Sequence, residues 1–449
     1  MPAAARKALG VLNTQIAVYG TQAATAILAA RILGPQQRGV MVVAVFVAVL
    51  IASAADFGLS DAVAYNIARQ HGDRNSMSEA RSVCVRWVPV SIAAILLVYL
   101  AVQRFAHSIV IRDLGPEVVV ASCTLSVAFL IYRVAYGVLV GLQAFSMRNL
   151  ISVLASAVLL AGILVVILLR LHPTALQLVL IQLFATIVAV AVAMQFVLWK
   201  HPAGRAPLPP DWRKTYLAYG AKGATTVFVQ HMNYRLDTMI VNAIMGGAAV
   251  GVYSAGVSAA QVLLLIPAAV SVVQMPRVAS SGQARGVESA PLALGATLYL
   301  VAGAAVVLGI GMPFIVMVLY GKAYQGAIAP GLWLLPGMWS VAVLNVMGST
   351  FSGLGRPGCN TVAVACGLVA TAALDFTLIP RYGILGAAWA STAAYSLAAI
   401  VSIAIFTRVG RMPFRKLLTG TLAEPPKWAL ARLTVLRSTI PHGNDRERL

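Results

Sequence analysis

The residues that could do chemistry in this chain are charges placed where charges are costly. Asp56, Asp61, Arg133, Lys222, Arg235, Asp237 and Asp375 all lie in, or at the end of, stretches apolar enough to cross a bilayer. Insertion scales put a Lys, Arg or Asp near the bilayer centre at roughly 2.5 to 3.5 kcal/mol each, so such groups must face protein or water. Bases in that setting attract an anion. A carboxylate pairs with a base or takes up a proton or small cation. The densest stretch is Tyr216 to Asn242, YLAYGAKGATTVFVQHMNYRLDTMIVN. At 3.6 residues per turn, Lys222, Thr226, Gln230, Asn233 and Asp237 share one helix face there. Lys222 and Asp237 stand about 22 Å apart along that helix, so their partners belong to other helices or to a ligand. The competing reading is a set of structural ion pairs, and Asp61, Arg133 and Asp375 admit either role because each could cap or snorkel at a helix end.

Other chemistries are missing from the sequence. There is no G-x-x-x-x-G-K-[ST] phosphate loop, and no connection between apolar runs is long enough for a soluble catalytic domain. Cys84, Cys123, Cys359 and Cys366 sit in or beside apolar runs without metal-type spacing and read as packing residues, so neither a metal nor a cofactor is expected. The chain is expected to be a transporter and not an enzyme.

The elements that must position these groups are membrane helices. Of 449 residues, 60% are hydrophobic and 10% charged, and apolar runs of about 20 residues recur throughout. The formal charge of +20 therefore records topology and contact with anionic lipid, and nucleic acid is not an expected partner. Twelve spans are predicted, at 9–30, 40–66, 84–103, 117–141, 150–170, 174–199, 216–244, 248–274, 292–320, 327–351, 358–379 and 384–407. Most of the Lys and Arg fall on the side that holds both termini, which the positive-inside rule assigns to the cytoplasm. Polar residues interrupt the first apolar run, which reads as a retained helix rather than a signal peptide.

The Pro-rich stretch 200–215 divides the chain into lobes at 1–199 and 216–407, followed by a basic tail, 408–449. That tail reads either as an interfacial segment on the anionic leaflet or as a solvated one. A shift of 212 residues lays Ile32-Leu33-Gly34 and Gly39-Val40 over Ile244-Met245-Gly246 and Gly251-Val252, and Gly141-Leu142 over Gly353-Leu354. With the shift reduced to 211, Asn149 and Arg170 reach Asn360 and Arg381. This pattern predicts an all-α protein of two six-helix lobes, related by a pseudo-twofold axis along the membrane normal and flanking a central cavity. Both lobes would offer their first helix to the cavity, the N-terminal one through Gln15, Tyr19 and Gln22. Gly137 and Gly141 form a G-x-x-x-G that predicts close helix packing, and Gly58, two residues after Asp56, permits a kink.

The run ARILGPQQRGVMVVAVFVAVLIASAADFGLSDAVAYNIAR (Ala29 to Arg69) resembles the start of bacterial polysaccharide flippases of the multidrug/oligosaccharidyl-lipid/polysaccharide exporter superfamily. YRLDTMIVNAIMGGAAVGVYSAG (Tyr234 to Gly256) is similar to their seventh-helix motif, and GLGRP (Gly353 to Pro357) to their connection after span 10. The resemblance implies movement of an undecaprenyl-diphosphate-linked oligosaccharide across the bacterial inner membrane by alternating access, coupled to H⁺ or Na⁺. It also implies membrane lipids and polysaccharide polymerase and export proteins as partners. Arg133, Lys222 and Arg235 would meet the diphosphate, and Gln15, Tyr19, Gln22, Gln230 and Asn233 the sugar, with Asp56, Asp61, Asp237 and Asp375 left for coupling or charge pairing. Ion-coupled multidrug exporters and lipid II flippases of the same superfamily remain the alternatives. The excess of buried bases disfavours cationic drugs.

Overall fold

The computed structural model describes residues 3–70, 74–105, 112–171, 173–200 and 212–422, with the side chains of 3–16, 19, 74, 213–215, 217–219, 221–224, 226, 227 and 281–283 left out. Backbone polar groups in hydrocarbon must be satisfied within the segment, and the described residues accordingly form helices. In chain order these are α1 (Ala3–Ala55), α2 (Leu59–Arg69), α3 (Arg74–Phe105), α4 (Pro116–Gly141), α5 (Phe145–Leu168), α6 (Ala175–Lys200), α7 (Trp212–Met245), α8 (Gly247–Gln261), α9 (Leu265–Ile315), α10 (Ile328–Gly353), α11 (Gly358–Tyr382) and α12 (Ile384–Val409). Among the described residues, ten helical stretches are long and apolar enough to cross a membrane. α1 holds two spans, because Gly34 (φ 68°, ψ 173°) breaks the helix and Pro35 opens the next one, where its missing N–H is not needed. Dividing α1 at Gly34 and adding α7 gives the twelve spans expected.

One expectation changes in detail. Span 2 does not run unbroken from 40 to 66: it stops at Ala55, turns through Phe57 (φ 46°) and Gly58 (φ 75°), and resumes as α2. The break lets Asp56 Oδ1 accept from the Ser60 amide (3.3 Å) and hydroxyl (2.7 Å), so a buried carboxylate organises the start of α2. The connection between spans 8 and 9 is itself helical, within α9. Gln274 Nε2 donates to Ser289 Oγ at 3.1 Å, although fifteen residues of straight helix would hold them about 22 Å apart. The chain therefore doubles back between them. Past α12, residues 414–422 form a further helix with Leu417 buried and Phe414, Leu418 and Leu422 exposed. The rest of the basic tail, 423–449, and most of the 200–215 linker lie outside the described residues.

The helices gather into two lobes. In one, α4 packs on α1, α2 and α6, and α5 on α1 and α6; in the other, α10 packs on α8, α9 and α12, and α11 on α7 and α12. α1 meets α7 and α8 between the lobes, and α2 meets α7. The internal repeat is visible in the backbone. Gly246 (φ 84°, ψ 178°) breaks the chain between α7 and α8 as Gly34 breaks α1. The two breaks then pack crosswise: a Cβ built on Gly39 would lie 1.7 Å from the Gly247 carbonyl oxygen, and one built on Gly251 1.9 Å from that of Pro35. Under the shift of 212, Gly39 corresponds to Gly251 and Pro35 to Gly247, so the two contacts are one contact repeated about the pseudo-twofold axis. At the other end of the bundle the lobes meet again, where a Cβ on Gly58 would lie 1.9 Å from the Gly220 carbonyl oxygen.

Candidate functional site

In the N-terminal lobe the first polar centre joins α1, α2 and α4. Asp56 is fully buried, and its Oδ2 pairs with Arg133 Nη2 at 3.3 Å. A glycine makes this possible: a Cβ on Gly137, one turn beyond Arg133, would lie 2.4 Å from the Ser60 carbonyl oxygen. Gly141 lies equally close to Ala64 and Ile67, so the G-x-x-x-G draws α4 onto α2 and brings Arg133 to Asp56. Asp61 stands within electrostatic reach of both. The Arg133 side chain keeps 24% of its surface exposed, and its Nε is buried without a partner, so one carboxylate does not exhaust its donors.

The second centre lies inside the C-terminal lobe, between α7, α8, α11 and α12. Asp237 is buried and accepts from the Thr238 amide (2.6 Å) and hydroxyl (3.1 Å) through Oδ1, and from Tyr253 (2.6 Å) and Ser391 (3.1 Å) hydroxyls through Oδ2. Four neutral donors hold it, and no base pairs with it among the described residues. Asp375, fully buried and within electrostatic reach of Asp237, has no hydrogen-bond partner at either oxygen. Asn233 Oδ1 and Thr371 Oγ1, each one turn from one of these carboxylates, are also buried without partners. Tyr395 donates to the Asn233 carbonyl (3.3 Å), and Gly367 leaves the space on α11 that Asn233 Oδ1 fills. Buried polar groups are rarely left unsatisfied, and four orphan oxygens around two carboxylates form a site suited to a proton or a monovalent cation.

The third centre lies between the lobes. Arg38, which hydropathy alone leaves in the connection after span 1, is 3% exposed. Its Nε donates to Ser254 Oγ (3.0 Å) and its Nη1 to the Ala26 carbonyl (2.7 Å), and its guanidinium lies over the rings of Tyr320 (5.3 Å) and Tyr324 (5.8 Å). Neither Arg38 nor the half-buried Arg235, within electrostatic reach of it, has a carboxylate at ion-pair distance among the described residues. Such a pair of cations suits an anion. The only sequence hint to Arg38 was its place just after the Gly34-Pro35 break.

The remaining expected ligands divide. Gln22 and Gln230 are exposed, whereas Asn233 is buried inside the C-terminal lobe beside Asp237. The side chains of Gln15, Tyr19 and Lys222 lie outside the described residues. Among the described residues no group of three or more His, Cys, Asp or Glu side chains converges as a metal site would.

The sequence model of the family described as "Polysaccharide biosynthesis protein" matches residues 4–281. No curated protein sequence matches the chain. Among solved structures, the fold is similar to that of a multidrug resistance MATE family transporter of the MOP superfamily in an inward-facing conformation, with a TM-score of 0.69 and 15% identity over 94% of this chain and 96% of the other. It is similar to the lipid II flippase MurJ in an inward closed conformation, with a TM-score of 0.70 and 14% identity over 94% and 92%. It is also similar to the MATE multidrug transporter DinF-BH in complex with R6G, with a TM-score of 0.62 and 12% identity over 91% and 95%.

Proposed function

Because the chain belongs to the polysaccharide biosynthesis protein family, whose model covers more than half of it, we propose that it flips an undecaprenyl-diphosphate-linked oligosaccharide across the inner membrane by alternating access. The observation that carries this reading is the Arg38 and Arg235 pair between the lobes, without a carboxylate counter-ion among the described residues. A diphosphate supplies the missing negative charge and is multiply hydrogen-bonding, as guanidinium groups require. Arg133, with donors left over from Asp56, and Lys222 extend the same basic character. Gln15, Tyr19, Gln22 and Gln230 are the groups we assign to the sugar. Asn233, buried beside Asp237, we move from the sugar set to the coupling site.

In this reading both termini are cytoplasmic, the Gly34 and Gly246 breaks face the outside, and the lobes divide at 200–215. Cargo moves from the cytoplasmic leaflet to the outer one. Asp237 and Asp375 take up H⁺ or Na⁺, and the gradient of that ion drives one half of the cycle. Loading neutralises a buried charge between α7 and α11, and α7 carries Arg235 toward α1. Ion and cargo thereby act on the same helix.

The test is leaflet-resolved measurement of lipid-linked oligosaccharide in cells lacking the protein, with the wild type or Arg235→Ala returned. Accumulation on the cytoplasmic side that only the wild type relieves is the expected result. Relief of lipid II accumulation instead, or ion-driven efflux of cationic drugs without any lipid-linked intermediate, replaces the proposed cargo by that of the MurJ or MATE proteins of like fold.

A further inference from the structure

At the end of the C-terminal lobe where α12 finishes, a cleft of about 780 Å³ is lined by Arg356, Arg408 and Arg411, with Val287 and Gly410 on its walls. No Asp or Glu lines it, and none of the three arginines has a carboxylate at ion-pair distance among the described residues. The neighbouring cleft, about 510 Å³, offers a contrast. It too is basic, through Arg277, Arg285 and Lys416, but it contains Glu288, which lies 3.9 Å from Lys416.

The three arginines come from two segments that the fold brings together. Arg356 belongs to the turn between α10 and α11, while Arg408 and Arg411 flank the C-terminus of α12. Arg411 occupies the left-handed region (φ 47°), a position helices usually give to glycine, and the amides of Gly410 and Met412 return to the carbonyls of Phe406 and Thr407. This cap ends the helix and turns the chain beneath it with Arg411 on the cleft wall. The helix at 414–422 follows at once and exposes Phe414, Leu418 and Leu422, spaced four apart and so on one face. An exposed apolar face beside the end of a membrane span is what enters the boundary between headgroups and acyl chains. The cleft therefore opens in the headgroup plane.

We propose that this cleft binds the headgroup of an anionic phospholipid, and that three guanidinium groups around one space select a headgroup with two phosphates over one with a single phosphate. Its volume is within the range of ligand pockets and much larger than a lone phosphate needs. The site is separate from the Arg38 and Arg235 pair and does not depend on what the protein transports.

The full chain, purified and placed in phosphatidylcholine nanodiscs, tests this by titration with cardiolipin, phosphatidylglycerol or inorganic pyrophosphate, with bound lipid counted by native mass spectrometry. Cardiolipin is expected to saturate one site, more tightly than phosphatidylglycerol, and to weaken with salt. At roughly fivefold per basic residue, replacing Arg356, Arg408 and Arg411 together by Gln weakens binding about a hundredfold. Should that triple variant fold poorly, Arg411→Gly keeps the left-handed cap, and it is expected to melt no lower than the wild type while binding about fivefold more weakly. Undiminished binding by both variants overturns the proposal. Equal affinity for pyrophosphate alone makes the ligand a soluble phosphate and overturns the lipid assignment. Displacement of cardiolipin by a lower concentration of undecaprenyl diphosphate assigns the cleft to transported lipid and also overturns it.

Discussion

Adding one methyl group at Gly39 should drive the lobes apart at the end where the two helix breaks cross. The Ala Cβ would sit 1.7 Å from the Gly247 carbonyl oxygen, whereas ordinary contact begins at 3.4 Å, so the facing backbone must retreat by about 1.7 Å. That oxygen is main chain, and no rotamer change relieves the overlap. The retreat would strain or break the hydrogen bonds that close the same end. These are Arg31 to the Val318 and Leu319 carbonyls, Arg38 to Ser254, Tyr324 to the Ala30 carbonyl, and the Gly247 amide to Asp113. Overpacking of a close-packed contact typically costs about 1 to 3 kcal/mol, and each lost hydrogen bond about 1 more. A bias of about 3 kcal/mol against the closed arrangement changes its population roughly a hundredfold. Helix propensity has the opposite sign, since Ala is favoured over Gly within a helix by roughly 0.5 to 1 kcal/mol. A loss of closure therefore reports the clash and not a weaker helix.

The assay is the reaction rate of a single cysteine at Val250, fully buried beside this contact, with a membrane-impermeant thiol reagent in a background without the four native cysteines. Gly39→Ala is expected to raise the rate at least tenfold. Gly251→Ala should do the same from the other lobe, because its Cβ would meet the Pro35 carbonyl oxygen at 1.9 Å. Gly303→Ala, with nothing within 4 Å of the new atom, is the control. If both variants react and melt as the wild type does, the crosswise backbone contact does not hold the lobes together and the reasoning fails.

Other perturbations separate the polar centres. Asp375→Asn removes a buried carboxylate that has no donors, so the protein should melt at or above the wild-type temperature while losing any Na⁺- or H⁺-dependent stabilisation; a variant that is less stable and still ion-responsive would remove Asp375 from the coupling site. Breaking the Asp56–Arg133 pair at one end should cost about 3 to 5 kcal/mol, and Asp56→Asn with Arg133→Gln much less than the two single changes added together; additivity in unfolding experiments would show that the pair is not coupled. Arg38→Lys keeps the charge but not the flat group that lies over Tyr320 and Tyr324 while bonding two oxygens, and it should raise the thiol reaction rate at Val250→Cys; an unchanged rate would show that charge alone suffices.

Spans, repeat and helix packing were legible because they are written in local patterns: twenty-residue apolar runs, the match of Ile32-Leu33-Gly34 to Ile244-Met245-Gly246, and Gly137 with Gly141 on one face. What was not legible depends on contacts between distant segments. Asp56 and Arg133 are 77 residues apart, and nothing in their spacing pairs them. Gln230 and Asp237, seven residues apart, share a helix face, yet Gln230 is exposed and Asp237 buried, because Tyr253 and Ser391 cover one turn of α7 and not the other. Asn233 was assigned to a sugar for the same reason, since periodicity gives its direction and not its neighbours. Arg38 fell outside the expected spans because hydropathy marks where a helix leaves the membrane and not where two lobes meet.

The repeat also separates what the two halves share from what they do not. Where the halves close on each other they have kept their correspondence, Gly39 on Gly247 and Gly251 on Pro35. At the charged centres they have not. With the shift of 212, Asp56 and Arg133 correspond to Ala268 and Asn345, a pair that cannot form an ion pair. In the other direction Asp237 corresponds to Thr25, and Asp375 to Ile163, or to Leu164 at a shift of 211. If these charges only stabilised a lobe, the corresponding lobe would have the same void to fill, yet it fills it without charge at no loss of fold. Among the described residues the lobes instead differ, with a carboxylate and a base in one and two carboxylates with neutral oxygens in the other. Under the proposed function, an ion held at Asp237 and Asp375 would shift the cycle only by as much as it binds the inward and outward states differently, so the paired and the unpaired centre can play different parts in it.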